Sequence, residues 1–333
     1  MEHWTTADGG ITQVFAVRNP SEPADGKQRT VVVVIPGNPG IAEFYAPFCE
    51  ALYNNAALEV DVICIAYPGH SHTDHISSTG AAGATHSIVQ SWNSVLGQST
   101  ASSHKASSNY IKTSNSPLSL TDQIAHKVAI LDLIISCYPT GTRFALCGHS
   151  IGGYMALNLL RMRPDVNIVK AIFLFPTLKY IADTANGRVV KNLVMPGVRH
   201  AIAFLLLVLR PILTVIPAVF YSIVALFTGM TGEHLKTTCE KLLHSSSGFH
   251  ATTLAYYEML EVKELDTETI AKNHDKLTFY YGPTDRWADA SHYYDLKLRF
   301  PDIHAFLCDD GITHDFVINY SETMARKVVQ WIY

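Results

Sequence analysis

The chain has 333 residues, about twice the ~150 of an ordinary domain and still within reach of one large α/β domain. Apolar residues make up 48% and charged residues 16%, against roughly 25% charged in typical soluble domains; this excludes a disordered chain or a coiled coil and leaves apolar surface to meet something other than water. A net charge of −4 offers no basic field to a polyanion, so nucleic acid is not an expected partner.

Residues 1–10 are polar, without the basic and apolar regions of a secretory signal. The six cysteines are scattered, with no CxxC pair and no zinc spacing, and most sit in apolar runs such as 62–66 and 144–147. Buried free thiols and a reducing, intracellular setting are expected. Residues 31–35 (VVVVI) form a continuous β-branched run ending at Pro36-Gly37, the pattern of a strand buried on both faces. Residues 60–67 (VDVICIAY) repeat the pattern and stop at Pro68-Gly69. Residues 77–117 are rich in Ser, Ala, Asn and Thr and read as a long surface insertion. Residues 121–136 place Ile124, Val128, Leu131 and Ile135 close to helical spacing, with Thr121 or Asp122 as the expected cap.

Further strands are expected at 143–147, 169–175, 276–281 and 304–308, with helices at 153–162, 290–299 and 315–332. Strands alternating with helices specify βαβ units, hence an α/β protein with a mostly parallel central sheet and helices on both faces. Residues 178–273 break this rhythm and read as a cap or lid, which divides the sheet domain into 1–177 and 274–333.

That insertion holds the most apolar stretch of the chain, 201–209 (AIAFLLLVL), then Arg210-Pro211, then 212–227 (ILTVIPAVFYSIVALF). Neither arm reaches the ~20 apolar residues of a bilayer crossing. Arg210 would cost roughly 2.5–3.5 kcal/mol at a bilayer centre. Pro211 and Pro217 interrupt a helix. A bent pair of helices over 201–227, lying in one leaflet, fits better, with Lys191, Arg199, His200 and Arg210 attracting anionic head groups. A lid packed inward over the cleft is the alternative, and a lid opening onto a lipid surface combines the two.

Gly148-His149-Ser150-Ile151-Gly152 follows the third of these strands and precedes a helix. G-x-S-x-G in that context is a sharp strand-to-helix turn that lifts a serine hydroxyl above the sheet. A serine is a poor nucleophile until a base takes its proton. His314 lies just after the last strand, at the carboxyl edge of the sheet where catalysis in open α/β folds gathers. Asp285, in Gly282-Pro283-Thr284-Asp285-Arg286, follows the preceding strand on the same edge. Asp309 and Asp310 compete as the third member, but they share the loop of His314 and would struggle to reach its far nitrogen. The order Ser150, Asp285, His314 is that of the hydrolases built on this architecture. An oxyanion hole needs two backbone N–H groups. Ile151 is expected to supply one. In Pro36-Gly37-Asn38-Pro39-Gly40 the prolines have no N–H, so Asn38 is expected to supply the other, with Gly37 second.

These motifs resemble the α/β-hydrolase fold and, within it, the lipid droplet-associated hydrolase family: VVVVIPGNPGIAEFY (31–45), CGHSIGGYM (147–155), YGPTDRW (281–287) and ITHDFV (312–317). The resemblance spans nearly the whole chain. It implies a serine lipid hydrolase of lipid droplets and the endoplasmic reticulum, on the cytosolic face, with lipid esters such as sterol esters as substrates, possible low activity, and Ser150, Asp285 and His314 on the triad positions. No metal or organic cofactor is implied. Two other roles use the same residues or surface: a transacylase in which an alcohol intercepts the acyl-enzyme, and a droplet scaffold with feeble hydrolysis.

Overall fold

The computed structural model describes residues 1–5, 11–19, 28–56, 60–70 and 117–333. The expected Ser-rich insertion lies outside the described residues, residue 117 excepted.

The six runs expected as strands form β3 to β8 of one eight-stranded sheet. Its strands are β1 (Glu2–Thr5), β2 (Ile11–Val17), β3 (Thr30–Ile35), β4 (Val60–Ile65), β5 (Arg143–His149), β6 (Ile168–Leu174), β7 (Leu277–Tyr281) and β8 (His304–Leu307), in the order β1-β2-β4-β3-β5-β6-β7-β8. β4, β3, β5, β6, β7 and β8 run parallel. β2 pairs antiparallel with β4, and β1 antiparallel with β2. These two antiparallel strands were not expected, because Thr12 and Gln13 interrupt the apolar run of β2 and β1 is short and polar.

The continuous valine run of β3 has a direct cause in this topology. Val31, Val33 and Ile35 enter the core on one face and Val32 and Val34 the core on the other, all essentially without solvent contact. Burying each such side chain contributes about 1.5–3 kcal/mol, and only a strand covered on both faces can bury them all.

The helices are α1 (Ala46–Asn55), α2 (Leu120–Ser136), α3 (Ile151–Met162), α4 (Ala185–Leu193), α5 (Pro196–Thr214), α6 (Pro217–Thr228), α7 (Gly232–Thr237), α8 (Ser245–Glu261), α9 (Thr267–Lys272), α10 (Ala290–Arg299), α11 (Phe316–Asn319) and α12 (Ser321–Ile332). Ile130 of α2, Met155 of α3 and Leu296 of α10 pack in the first core; Phe48 of α1 and Val328 of α12 pack in the second. Helices therefore cover both faces of the sheet.

Local details differ from the expectations. α2 is capped by Ser119, whose hydroxyl accepts the Asp122 amide while the Asp122 carboxylate accepts the Ser119 amide; Asp122 is the third residue of the helix and not its cap. α3 begins at Ile151, two residues earlier than expected, and its glycines allow close packing. A Cβ on Gly152 would lie 2.2 Å from the Ile35 carbonyl oxygen. The segment 315–332 is two helices, broken at Tyr320, which sits at φ −125°.

The chain between β6 and β7 carries α4 to α9. α5 runs unbroken through Pro211, and the break comes at Val215-Ile216, with Pro217 opening α6. Pro211 is tolerated because its neighbour is anchored: the Arg210 guanidinium donates to the carbonyls of Cys239 and Glu240, each at 2.9 Å. At 19 residues α5 is also long and apolar enough to cross a membrane, contrary to the expectation for the shorter arm. Neither Arg199 nor Arg210 is directed outward as expected of lipid-facing charges. Arg199 lies over the Tyr256 ring of α8, 4.7 Å from its centroid.

The Gly152 contact makes a test. Gly152→Ala lowers the unfolding free energy in urea by about 1–3 kcal/mol or more through overpacking. Gly197→Ala, where an added Cβ meets nothing within 4 Å, is the matched control and leaves stability unchanged or slightly raised.

Candidate active site

β5 ends in the turn 148–152. Ser150 sits there at φ 54°, ψ −123°, a backbone state costing on the order of 1–3 kcal/mol for a residue with a Cβ. Tertiary bonds hold it. The Ser150 amide donates to the Leu174 carbonyl of β6 at 3.0 Å, and the Gly153 amide donates to the Ser150 carbonyl at 2.9 Å.

Three side chains expected to work together are brought together. His314 Nε2 lies 3.0 Å from Ser150 Oγ, and His314 Nδ1 lies 2.7 Å from Asp285 Oδ2. A carboxylate only accepts, so Nδ1 carries the proton and Nε2 is free to take the serine's. The other carboxylate oxygen of Asp285 accepts the Trp287 amide at 2.8 Å. The Asp285 side chain is 1% exposed, so its orientation is fixed by these two bonds. Of the two competing acids, Asp310 is engaged elsewhere, with Lys327 at 2.6 Å.

The loop 36–40 lies directly on the serine turn. A Cβ on Gly37 would come within 3.0 Å of the Ser150 Cβ. The Gly37 amide, the second-choice oxyanion donor, is already committed: it donates to Tyr45 Oη at 2.7 Å. The Asn38 side chain donates through Nδ2 to the Ala251 carbonyl at 2.9 Å and to Glu258 Oε1 at 3.0 Å, both on α8. Tyr67 Oη donates to the Pro36 carbonyl at 2.5 Å, and His70 Nδ1 bonds the Pro39 carbonyl.

His149, inside the motif but given no role from sequence, joins the two halves of the site. Its Nδ1 is 2.5 Å from Tyr45 Oη and its Nε2 is 2.8 Å from the His314 carbonyl. Tyr45 accepts from Gly37 and donates to Nδ1; Nε2–H donates to His314. Burial and the neighbouring His314 hold His149 well below the usual histidine range, so it stays neutral in this arrangement. Burial also pushes the Glu258 carboxyl up to about 7, opposed by the Asn38 hydrogen bond. Tyr45, His149, Trp287 and Glu258 escaped sequence reading. The available signals were the positions of Tyr45, His149 and Trp287 inside the motifs 31–45, 147–155 and 281–287.

A family model described as lipid-droplet associated hydrolase matches residues 28–317. The chain belongs to that family. A member from Mus musculus, a lipid droplet-associated hydrolase, is 29% identical over 324 residues, covering 97% of this chain and 89% of its own. The Drosophila melanogaster protein of the same name is also 29% identical, covering 91% and 90%. The fold of this chain is the α/β-hydrolase fold. A haloalkane dehalogenase from Bradyrhizobium elkani superposes with a TM-score of 0.61 at 13% identity, covering 99% of this chain and 96% of its own. An esterase from Exiguobacterium antarcticum gives 0.59 at 12%, covering 99% and 98%.

Two predictions follow from the hydrogen bonds and the buried carboxyl. Tyr45→Phe leaves the Gly37 amide and His149 Nδ1 buried without a partner, and lowers the unfolding free energy by about 1–3 kcal/mol for each orphaned group, measured in urea. The Glu258 proton is held up to about pH 7 in the folded chain but leaves near the ordinary 4.5 in the unfolded one. Its stabilising contribution is therefore complete below the lower value and is lost as pH rises through the upper. Glu258→Gln, which cannot titrate, gains stability relative to the parent between about pH 5 and about pH 8, and equal pH slopes for the two proteins would refute the assignment.

Proposed function

We propose that this protein is a serine carboxylic-ester hydrolase acting on apolar lipid esters at the lipid-droplet surface. The observation that carries the chemistry is the unbroken hydrogen-bonded series Ser150, His314, Asp285 at 3.0 and 2.7 Å. Ser150 gives its proton to His314 Nε2 and attacks the ester carbonyl. Asp285 holds the imidazole in the required tautomer and stabilises its charged form. The amides of Asn38 and Ile151 receive the developing oxyanion, for which Gly37, already bound to Tyr45, is not available. His314 returns the proton to the leaving alcohol, and the acyl-enzyme is then cleaved by a water that His314 deprotonates. Sterol esters are the finer substrate proposal, resting on the family resemblance.

The division of the chain follows the same reading. Residues 1–177 and 274–333 form the hydrolase core, and 178–273 a cap that meets lipid. α5 and α6 turn large apolar side chains to solvent; Leu226 and Phe227 are 82% and 83% exposed, and Phe204 and Ile212 are more than half exposed. Contiguous exposed apolar surface on this scale marks an interaction site. Arg199 over the Tyr256 ring and Arg210 on the carbonyls of residues 239 and 240 tie α5 to the protein near both ends, which favours a helix lying on a monolayer over one crossing a bilayer. A droplet has oil beneath its single phospholipid layer, so a pair of helices with both ends on the aqueous side leaves no polar terminus in the oil. The cytosolic face of the endoplasmic reticulum, where droplets adjoin membrane, is the second proposed location.

Two experiments test this reading. Ser150→Ala abolishes labelling by a fluorophosphonate probe and lowers hydrolysis of a lipid ester by about a thousandfold or more; undiminished labelling or turnover in that variant would end the proposed mechanism. Replacing Phe204, Ile212 and Phe227 together by Ser reduces flotation with phosphatidylcholine-coated triacylglycerol droplets by at least about tenfold, since each large apolar side chain contributes about 1.5–3 kcal/mol of burial. Unchanged flotation would remove α5 and α6 as the anchor.

A further inference from the structure

We infer that Glu258, on the inserted helix α8, is a positioning residue for the oxyanion loop, acting through the side chain of Asn38. This rests on the reading of Ser150 as nucleophile and adds a residue to it.

The geometry is specific. Asn38 Nδ2 has two hydrogens, and α8 takes both, with the Ala251 carbonyl at 2.9 Å and Glu258 Oε1 at 3.0 Å. Both partners are acceptors, so the amide group has one orientation. The rest of the loop is pinned by other parts of the chain: Pro36 by Tyr67, Gly37 by Tyr45, and Pro39 by His70. Pro36 and Pro39 fix φ on either side of the Gly37-Asn38 pair. The peptide unit that carries the Asn38 N–H is held at its oxygen, where the Gly37 carbonyl accepts the Gly40 amide at 2.7 Å, and on its nitrogen side by the Asn38 side chain, which fixes the residue to α8.

Glu258 is an expensive choice for a merely structural contact. It is 4% exposed, and among the described residues Asn38 is the one side chain that bonds it. A buried carboxyl without a cationic partner is costly, and an apolar side chain of similar volume would pack α8 at lower cost. What the carboxyl supplies, and an apolar group cannot, is an acceptor aimed at Asn38. The helix is braced for this task. Its His250 ring packs edge-on against His70 at 6.1 Å between centroids, beside the loop that His70 bonds.

An oxyanion donor acts on charge that appears only in the transition state, so a displaced donor lowers kcat and leaves KM nearly unchanged. Asn38→Ala keeps the backbone amide and the Gly37–Gly40 bond and removes only the side-chain anchor. With a soluble p-nitrophenyl ester and the full chain, Glu258→Ala and Asn38→Ala each lower kcat and the rate of fluorophosphonate inactivation about tenfold or more, with KM shifted less than about twofold, below the 10²–10³ expected for outright loss of a donor. The double variant is no slower than the slower single, because both remove one bond. Glu258→Gln, which keeps an acceptor, restores kcat to within about threefold of the parent. Unchanged kcat in Glu258→Ala, equal losses in the Ala and Gln variants, additive losses in the double, or a change confined to KM would each overturn the inference. If Glu258→Ala does not fold by circular dichroism, the comparison of Asn38→Ala with Glu258→Gln decides: loss in the first with retention in the second supports the inference, and any other pattern rejects it. Labelling that survives Ser150→Ala defeats the functional reading itself, whereas Ser150-dependent labelling unaffected by Glu258→Ala defeats only this inference.

Discussion

The site depends on a close approach of backbones. Gly152 brings the start of α3 so near the end of β3 that a methyl group there would overlap the Ile35 and Pro36 carbonyls. That contact holds Ser150 at its strained positive φ and places the loop 36–40 within van der Waals reach of the serine. The strain is local and of order 1–3 kcal/mol, while β3 and β5 around it bury full rows of apolar side chains on two faces. The sheet is thus stiff enough to hold a conformation that the turn alone would abandon.

A second layer of polar groups keeps the parts in register. One route runs from the Gly37 amide through Tyr45 and His149 to the His314 backbone. It links the loop that would receive an oxyanion to the loop that carries the base. Phe175 and Phe316 pack edge-on against the His149 ring and exclude water from it. In that dry surrounding the hydrogen bonds are stronger and a charged imidazole is disfavoured, so the relay has a single protonation state and a single geometry.

What was legible in the sequence follows from this physics. Strands buried on two faces must be continuously apolar, so β3 to β8 stood out, and strand ends located Ser150, Asp285 and His314. β1, at the sheet edge, needs no such run, and the run of β2 is interrupted by Thr12 and Gln13, so neither carried the signal. The Asn38–Glu258 contact joins residues 220 positions apart, and neither local pattern nor motif announces it. The Pro211 rule failed for a related reason. Helix propensity is a local preference, and the anchoring of Arg210 to carbonyls 29 and 30 residues away overrides it.

The same anchoring organises the apolar insertion. Arg199 and Arg210, the charges that a lipid-facing reading would turn outward, face Tyr256 and the 239–240 carbonyls instead. With its cations turned inward, α5 presents an almost uniformly apolar outer surface and none of its residues is buried. α8 lies against its inner side: Leu206 Cδ1 is 2.8 Å from where a Cβ on Gly248 would be, and His200 packs on Phe249 at 4.8 Å between centroids. One helix therefore touches the apolar element proposed to meet lipid along one side and holds Asn38 on the other. A lipid surface that shifts α5 cannot leave α8 unaffected without breaking that packing, because close-packed interiors transmit displacement in place of absorbing it. The architecture so places the element proposed to meet lipid one helix away from the loop proposed to stabilise the transition state.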